Sequence, residues 1–391
     1  MGDSRQRLTL LRALAALTRP LRTGRPLPLP AAPRILLIRP DHIGDLLFAT
    51  PALRVLHQAF PAAYLAALVG PWGKAVWERN PCLDERIVCE FPGFTRQPKT
   101  SALAPYRTLW DCAHSLRGQR FDLAIVLRFD HWWGALLAYT AGIPRRLGYD
   151  IPECQPFLTA ALPYLEHRHE VQQNLALVEQ AVRESGLAVP EETPGLEFVV
   201  SDSDQQYAAA YLSRRRLAPD EPWVAIHPGA GAAVKLWRPE AWAQVADALV
   251  QDSRARIVVT GSRDELDLAW SVYAHMQADA VVAAGDTTLG QLAALFQRCR
   301  LVLGPDCGPL HLAVATETPT VHLYGPVDAA KFGPWGDPDQ HVVITSGRAC
   351  IPCNRLNYTP AELPEHPCVR ETPAETVLAA AQKLLAAAMQ P

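Results

Sequence analysis

The segment "LVLGPDCGPLHLAVATETPTVHLYGP" (residues 301–326) sets Asp306, Cys307, Gly308 and His311 between two apolar runs of strand type. Strand, glycine-bearing turn, short helix and second strand leave free N–H groups and positive potential at a helix N-terminus, which is what a phosphate requires. Gly308 lets a ligand approach the backbone, and His311, one turn into the helix, could donate to a diphosphate oxygen. Plainer readings stand beside these: Asp306 as the helix N-cap and His311 as a satisfied structural histidine. Two further turns repeat the design. "WVAIHPGAGAAVKLWRPEAW" ends a strand near Gly229 and Gly231 and brings in Lys235 before the next helix, so amides and an ammonium could converge on an anion. Trp237 reads as a packing residue. "TGSRDEL" places Glu265 at another strand-to-helix turn, either as a first-turn acid or as an acceptor for ribose hydroxyls. Nearer the start, "IRPDHIGDLLFATPALRVL" carries Asp41, His42 and Asp45. Asp45 is either an acid favoured by the helix dipole or a base for an attacking hydroxyl.

The elements that must position these turns alternate along the chain. "RILLIR" (34–39), "YLAALVG" (64–70), "RIVCEF" (86–91) and "FDLAIVL" (121–127) read as strands, separated by helical patterns at 45–60 and 104–119 and followed by a helix from Trp132. Apolar runs without strict alternation imply strands covered on both faces, hence parallel sheets. A long helix at 168–186 is followed by "LAVPEETPG", a linker by its prolines and acids. Strand and helix patterns then resume through "WVAIHPG", "ARIVVTG", "AVVAAG", "LVLGP" and the opening segment. The expectation is an α/β protein of two doubly wound domains. Residues 1–33 form a basic segment and proline linker, 34–190 the first domain, 191–372 the second, and 373–391 a strongly apolar final helix. In such sheets ligands bind at the carboxyl ends of the strands, where every turn noted above falls.

Composition excludes several classes. At 391 residues the chain exceeds what one core usually serves, and its 49% hydrophobic and 20% charged content suits a globular protein. The net charge is −3, yet the first 30 residues hold six arginines and one aspartate, so the remainder stands at −8 and is no nucleic-acid binder by bulk charge. In the basic segment Arg12 interrupts the apolar stretch and no small-residue cleavage site follows, so it is not read as a signal peptide. The expected location is cytoplasmic. The arginines could face anionic lipid at the inner face of the cytoplasmic membrane, or form a frayed basic helix before the linker. Nine scattered cysteines read as reduced thiols. "CIPC" with His366 and Cys368 downstream is a partial zinc pattern over Cys350, Cys353 and Cys368, but its second half lacks a paired spacing and no metal is expected. A nicotinamide oxidoreductase would need Gly-x-Gly-x-x-Gly after the first strand, and residues 39–45 lack it.

Taken together, "ILLIRPDHIGDLLFATPAL", "HPGAGAAVKLWRPE" and "PDCGPLHLAVATETPTVHLYGPVD" resemble the signatures of glycosyltransferase family 9, the heptosyltransferase family, from about residue 34 to the C-terminus. The resemblance implies a GT-B fold, with two Rossmann-like domains facing a central cleft and the last helix crossing back toward the first domain. It implies metal-independent, inverting transfer of a sugar, usually heptose from ADP-heptose, to a hydroxyl of a glycan or glycolipid acceptor such as lipopolysaccharide core, with no cofactor and no nucleic-acid partner. By position the catalytic base falls on Asp45, the phosphate-contacting lysine on Lys235, and the donor loop on Asp306, Cys307, Gly308 and His311. Nucleotide contacts fall on Ala230, Glu265 and Thr287. Cys307 replaces the family's usual threonine or serine, and Pro40, Asp41 and His42 replace its serine-rich loop. A nucleotide-sugar-binding scaffold without turnover and a GT-B sugar-nucleotide epimerase are the alternative readings.

Overall fold

The computed structural model describes Thr9 and residues 28–95, 103–191, 193–214 and 222–388. Apart from Thr9, the basic residues 1–27 therefore lie outside the described residues. The chain divides into two compact units, Met1–Pro194 and Gly195–Pro391.

The first unit is built on a six-stranded parallel sheet of β1 (Arg34–Arg39), β2 (Tyr64–Val69), β3 (Glu85–Val88), β4 (Leu123–Val126), β5 (Arg145–Tyr149) and β6 (Ala160–Leu162), in the order β3-β2-β1-β4-β5-β6. Its helices are α1 (Ile43–Leu47), α2 (Thr50–Ala59), α3 (Lys74–Trp77), α4 (Ala104–Gly118), α5 (Trp132–Thr140) and α6 (Glu170–Glu184). β1, β2 and β4 are almost wholly buried, as apolar runs covered on both faces must be. The pattern at 45–60 reads as one helix but folds as two. Pro51 has no N–H to offer the Leu47 carbonyl, and the Thr50 hydroxyl donates to that carbonyl instead at 2.7 Å. β5 and β6 were not legible in the sequence: β5 opens on two arginines and β6 has three residues.

The second unit repeats the order. Its sheet holds β7 (Trp223–Ile226), β8 (Arg256–Val259), β9 (Ala280–Val282), β10 (Leu301–Pro305), β11 (Thr320–Tyr324) and β12 (His341–Thr345), arranged β12-β11-β10-β7-β8-β9, all parallel. Helices α7 (Asp202–Arg214), α8 (Pro239–Ser253), α9 (Leu266–His275), α10 (Leu289–Phe296), α11 (Gly308–Ala315), α12 (Ala329–Phe332) and α13 (Ala374–Ala388) complete it. Read in chain order, each sheet has the strand order of a dinucleotide-binding fold, with a switch point between its first and fourth strands: β1 and β4 in one, β7 and β10 in the other. The final helix, expected to reach back to the first domain, buries Val377, Ala381, Leu384 and Leu385 in the core of the second unit with Trp242, Leu249, Val321 and Leu323. No described helix is long and apolar enough to cross a membrane.

Candidate active site

At the switch point of the second unit, His227 directly follows β7 and Asp306 directly follows β10. The strands approach so closely that a Cβ on Gly304 would lie 2.6 Å from the His227 carbonyl oxygen. Asp306 is not the helix N-cap that the sequence offered. Cys307 occupies that position without a side-chain capping bond. One residue earlier, just past β10, the Asp306 carboxylate is aimed at side chains: Lys235 Nζ donates to Oδ2 at 2.6 Å and His311 Nε2 stands 3.8 Å from Oδ1. Burial acts to raise the Asp306 carboxyl, but His311 and the Lys235 charge override it and hold the group down at about 2. Lys235 closes a short 3₁₀ turn (Ala233–Lys235) in the loop after β7. An ammonium has three donors; the Asp306 carboxylate takes one, and the Asp306 carbonyl accepts more weakly at 3.5 Å. Gly308 opens α11 beside this pair, with His311 in its first turn. Burial pushes the Cys307 thiol well up, so it stays neutral here.

The turn after β8 approaches from the side. Ser262 and Glu265 form a reciprocal capping box, with the Ser262 amide donating to Glu265 Oε2 at 2.7 Å. A Cβ on Gly229 would fall 2.0 Å from Glu265 Oε1, so glycine leaves room for that carboxylate and a larger residue must displace it. Ala230 follows Gly229 directly and is partly exposed. His227, on the inner side, shares a 3.0 Å hydrogen bond with the Thr260 hydroxyl and is kept neutral by burial. Thr287 lies two residues beyond Gly285, whose amide donates to Gly261 in this same turn, and Thr288 caps α10. Lys235, Asp306, Gly308 and His311 are thus brought together directly, with Glu265 against Gly229. Among the described residues no side-chain hydrogen bond or ion pair ties Ala230 or Thr287 to that cluster. Trp237 packs edge-on against Trp242 at 4.7 Å and donates to the Thr372 carbonyl, the structural role its sequence context indicated.

At the switch point of the first unit lies a buried charge cluster. Asp45 sits in the first turn of α1 with a third of its side chain exposed (33%), its Oδ1 3.4 Å from Arg39 Nη2. Arg39, the last residue of β1, is 1% exposed. It also holds Asp41 at 2.7 Å, Glu170 at 2.8 Å and the Asn174 amide oxygen at 3.0 Å. After β4, Arg128 pairs with Asp41 and with Asp130. Burial works to raise Asp41, yet the two guanidiniums keep it below the ordinary carboxylate range. Asp45 behaves oppositely. Desolvation, then the charges of Asp41 and Glu170, outweigh Arg39 and push its carboxyl up to about 7. A carboxyl poised there has the character of a general base near neutral pH. Trp72 Nε1 holds the Pro40–Asp41 turn through two 3.0 Å bonds to its carbonyls.

Sequence reasoning missed Arg39, Arg128, Glu170 and Asn174. A signal existed for the last two: Glu170 and Asn174, four apart in "EVQQNLALV", fall on the buried face of α6, where an uncompensated acid is not tolerated. His131 was missed as well. It is buried between Phe91, Phe94 and Trp133 with neither ring nitrogen hydrogen-bonded, and burial drives it down to about 3. Of the cysteines flagged for metal, Cys350 and Cys353 are exposed and Cys368 is buried. Cys353 lies 3.6 Å from the Tyr358 hydroxyl. Among the described residues no group of three or more His, Cys, Asp or Glu could hold a metal ion.

Comparison with known proteins agrees with this architecture. Residues 109–359 match glycosyltransferase family 9 (heptosyltransferase). Lipopolysaccharide heptosyltransferase 2 of Escherichia coli K12 is 25% identical over 306 residues, covering 75% of this chain and 83% of that protein. Among solved structures, a family 9 glycosyl transferase from Veillonella parvula superposes with a TM-score of 0.78 at 24% identity, covering 93% of this chain and all of that one. The E. coli ADP-heptose lps heptosyltransferase II gives 0.71 at 23% identity, covering 90% and 99%. With two dinucleotide-type sheets and more than half its length matched, this chain belongs to glycosyltransferase family 9, the heptosyltransferases, and is a glycosyltransferase of GT-B fold.

Proposed function

We propose that the enzyme transfers heptose from an ADP-linked donor to a hydroxyl of a cell-envelope glycan of the lipopolysaccharide-core type, by a single displacement that inverts the anomeric centre and uses no metal ion. The observation that carries the reading is the convergence of Lys235, Asp306 and His311 on the first turn of α11 at the β7–β10 switch point. A nucleoside diphosphate is the ligand this arrangement fits: an oriented ammonium, an imidazole and the positive end of a helix presented together. Asp306 would repel a phosphate by itself, so its part is to orient Lys235 and His311. Glu265, fixed by its capping box, is placed to accept from ribose hydroxyls, with Ala230 and Thr287 in the flanking turns. The relatives named for ADP-heptose and for lipopolysaccharide support the choice of sugar, nucleotide and acceptor.

In this reading Asp45 takes the proton of the acceptor hydroxyl as its oxygen bonds to the anomeric carbon. The bond from that carbon to the diphosphate oxygen breaks on the opposite face, through an oxocarbenium-like state. Lys235, His311 and the positive N-terminal end of α11 receive the charge that develops on the leaving diphosphate. The enzyme works in the cytoplasm, with the arginines of residues 1–30 available to anionic lipid at the membrane's inner face. Calorimetric titration with ADP, UDP and GDP tests the nucleotide, ADP alone binding tightly if the reading holds. Nucleotide release from ADP-heptose must then require acceptor. Release without acceptor points to an epimerase, and binding without release to a scaffold.

A further inference from the structure

Cys89 directly follows β3, buried at 3% exposure and tied to the sheet by its N–H, which donates to the Val69 carbonyl. Cys112 lies 23 positions further on, in α4, and keeps part of its surface open to solvent. Their sulfurs stand 2.8 Å apart, inside ordinary sulfur–sulfur contact and closer to the ~2.05 Å of a covalent bond than two unrelated thiols pack. Neither residue belongs to the charge cluster around Asp45 or to the donor turns. We propose that Cys89 and Cys112 are a reversible dithiol–disulfide pair, a modification site that links the end of β3 to α4.

The two sulfurs differ in a way that gives the chemistry an order. Sharing a proton with Cys89 draws the Cys112 thiol down, whereas the same contact and burial draw Cys89 up. Cys112, reachable from solvent, is the thiolate that attacks a low-molecular-weight disulfide such as oxidised glutathione. One small thiol leaves and a mixed disulfide remains on Cys112. Cys89 then gives up its proton, attacks the Cys112 sulfur and expels the second small thiol. Two cysteine thiols and one small disulfide become one intrachain disulfide and two small thiols, and a dithiol reductant reverses both steps.

The bond would close a ring over residues 89–112. Phe91 and Phe94, inside the ring, pack on His131, and the Arg128 guanidinium lies 5.1 Å above the Phe94 ring while pairing with Asp41. Oxidation therefore ties down the chain that packs on one side of the Asp45 charge cluster, and the glycosyl-transfer reading is not needed for the bond itself to be tested.

The test uses the full chain carrying Cys350→Ser and Cys353→Ser, which removes the exposed Cys-x-x-Cys pair. The protein is treated with oxidised glutathione, quenched by alkylation and digested with trypsin without reductant. The expected product is a linked pair of peptides, residues 87–96 with residues 108–117, lighter by two hydrogens than their sum, together with the loss of two titratable thiols. Dithiothreitol restores both. The unfolding midpoint of the oxidised form should rise by on the order of 5 °C, as a closed loop of this length restricts the unfolded chain. Cys112→Ser should abolish the linked peptides and the rise. A persistent mixed disulfide on Cys112 with Cys89 still alkylatable would overturn the proposal. So would a rise in midpoint that survives Cys112→Ser.

Discussion

Glu170→Gln isolates the electrostatics of the proposed base. Asp45 and Glu170 both touch Nη2 of Arg39, at 3.4 and 2.8 Å. Their nearest oxygens are therefore no more than about 6 Å apart, where two unit charges repel by roughly 0.7 kcal/mol at the dielectric of water and roughly 3 kcal/mol at an effective value of 20. Asp45 is a third exposed, so the true value lies between, and removing the Glu170 charge should move its titration down by about 1 pH unit. The freed share of the Arg39 charge acts in the same direction. With wild type titrating near 7, about a tenth of Asp45 is ionised at pH 6, against about half in the variant, while at pH 8 both are nearly fully ionised. The assay is kcat/KM for nucleotide release against pH. The position of the acid limb is the readout, because a weaker base also lowers the plateau. An acid limb that stays in place or moves up would refute the assignment of Asp45 as the titrating base, or its coupling to Glu170. Arg39 keeps Asp41 and Asn174 in the variant, so the fold should survive with a loss of about 1–2 kcal/mol, read by denaturant unfolding.

Three further substitutions probe the remaining parts. Asp45→Asn should lower kcat by about 10²–10⁴ and leave the calorimetric affinity for ADP unchanged. The same variant has a stability signature: because the folded-state carboxyl is raised, the stability Asp45 contributes is full below the unfolded value near ~3.9 and is lost as pH rises through about 7. Thermal midpoints should therefore favour Asp45→Asn over wild type at pH 8, and wild type gaining there would contradict the raised value. Lys235→Met removes a charge-assisted donor and should weaken ADP binding by about 10–100-fold, with a smaller effect on adenosine in the same titration. Gly229→Ala places a methyl on Glu265 Oε1; displacement of that carboxylate should weaken ADP and adenosine alike, and equal affinities for variant and wild type would remove Glu265 from the nucleotide site.

The local chemistry of the turns and the class of the fold were legible in the residues themselves. Buried strands such as β1, β2 and β10 announce themselves because consecutive apolar residues, Ile35 to Ile38 in β1, leave no exposed face for polar ones. Glycines 229 and 304 mark where the Glu265 side chain and the His227 backbone come close, and Lys235, Asp306 and His311 each stand in or just after a strand-end turn of the sequence. Strands that carry charge or are very short, β5 and β6, gave no such pattern. The break between α1 and α2 follows from the missing N–H of Pro51, a detail that the apolar period of 45–60 conceals.

The order of residues alone therefore says which turns lie at strand ends and which residue types they carry. It did not determine who pairs with whom. Asp306 was as good an N-cap as an ion-pair partner until β7 and β10 lay side by side and set Lys235 against it. Asp45 was an ordinary first-turn acid until α6, 125 residues further along, delivered Glu170 to the same guanidinium. Cys89 and Cys112 were two of nine scattered thiols until β3 and α4 brought their sulfurs to 2.8 Å. The physical reason is common to all three. Charge and thiol chemistry depend on distances of a few ångströms and on the exclusion of water, and both are set by which strands and helices the tertiary fold makes neighbours.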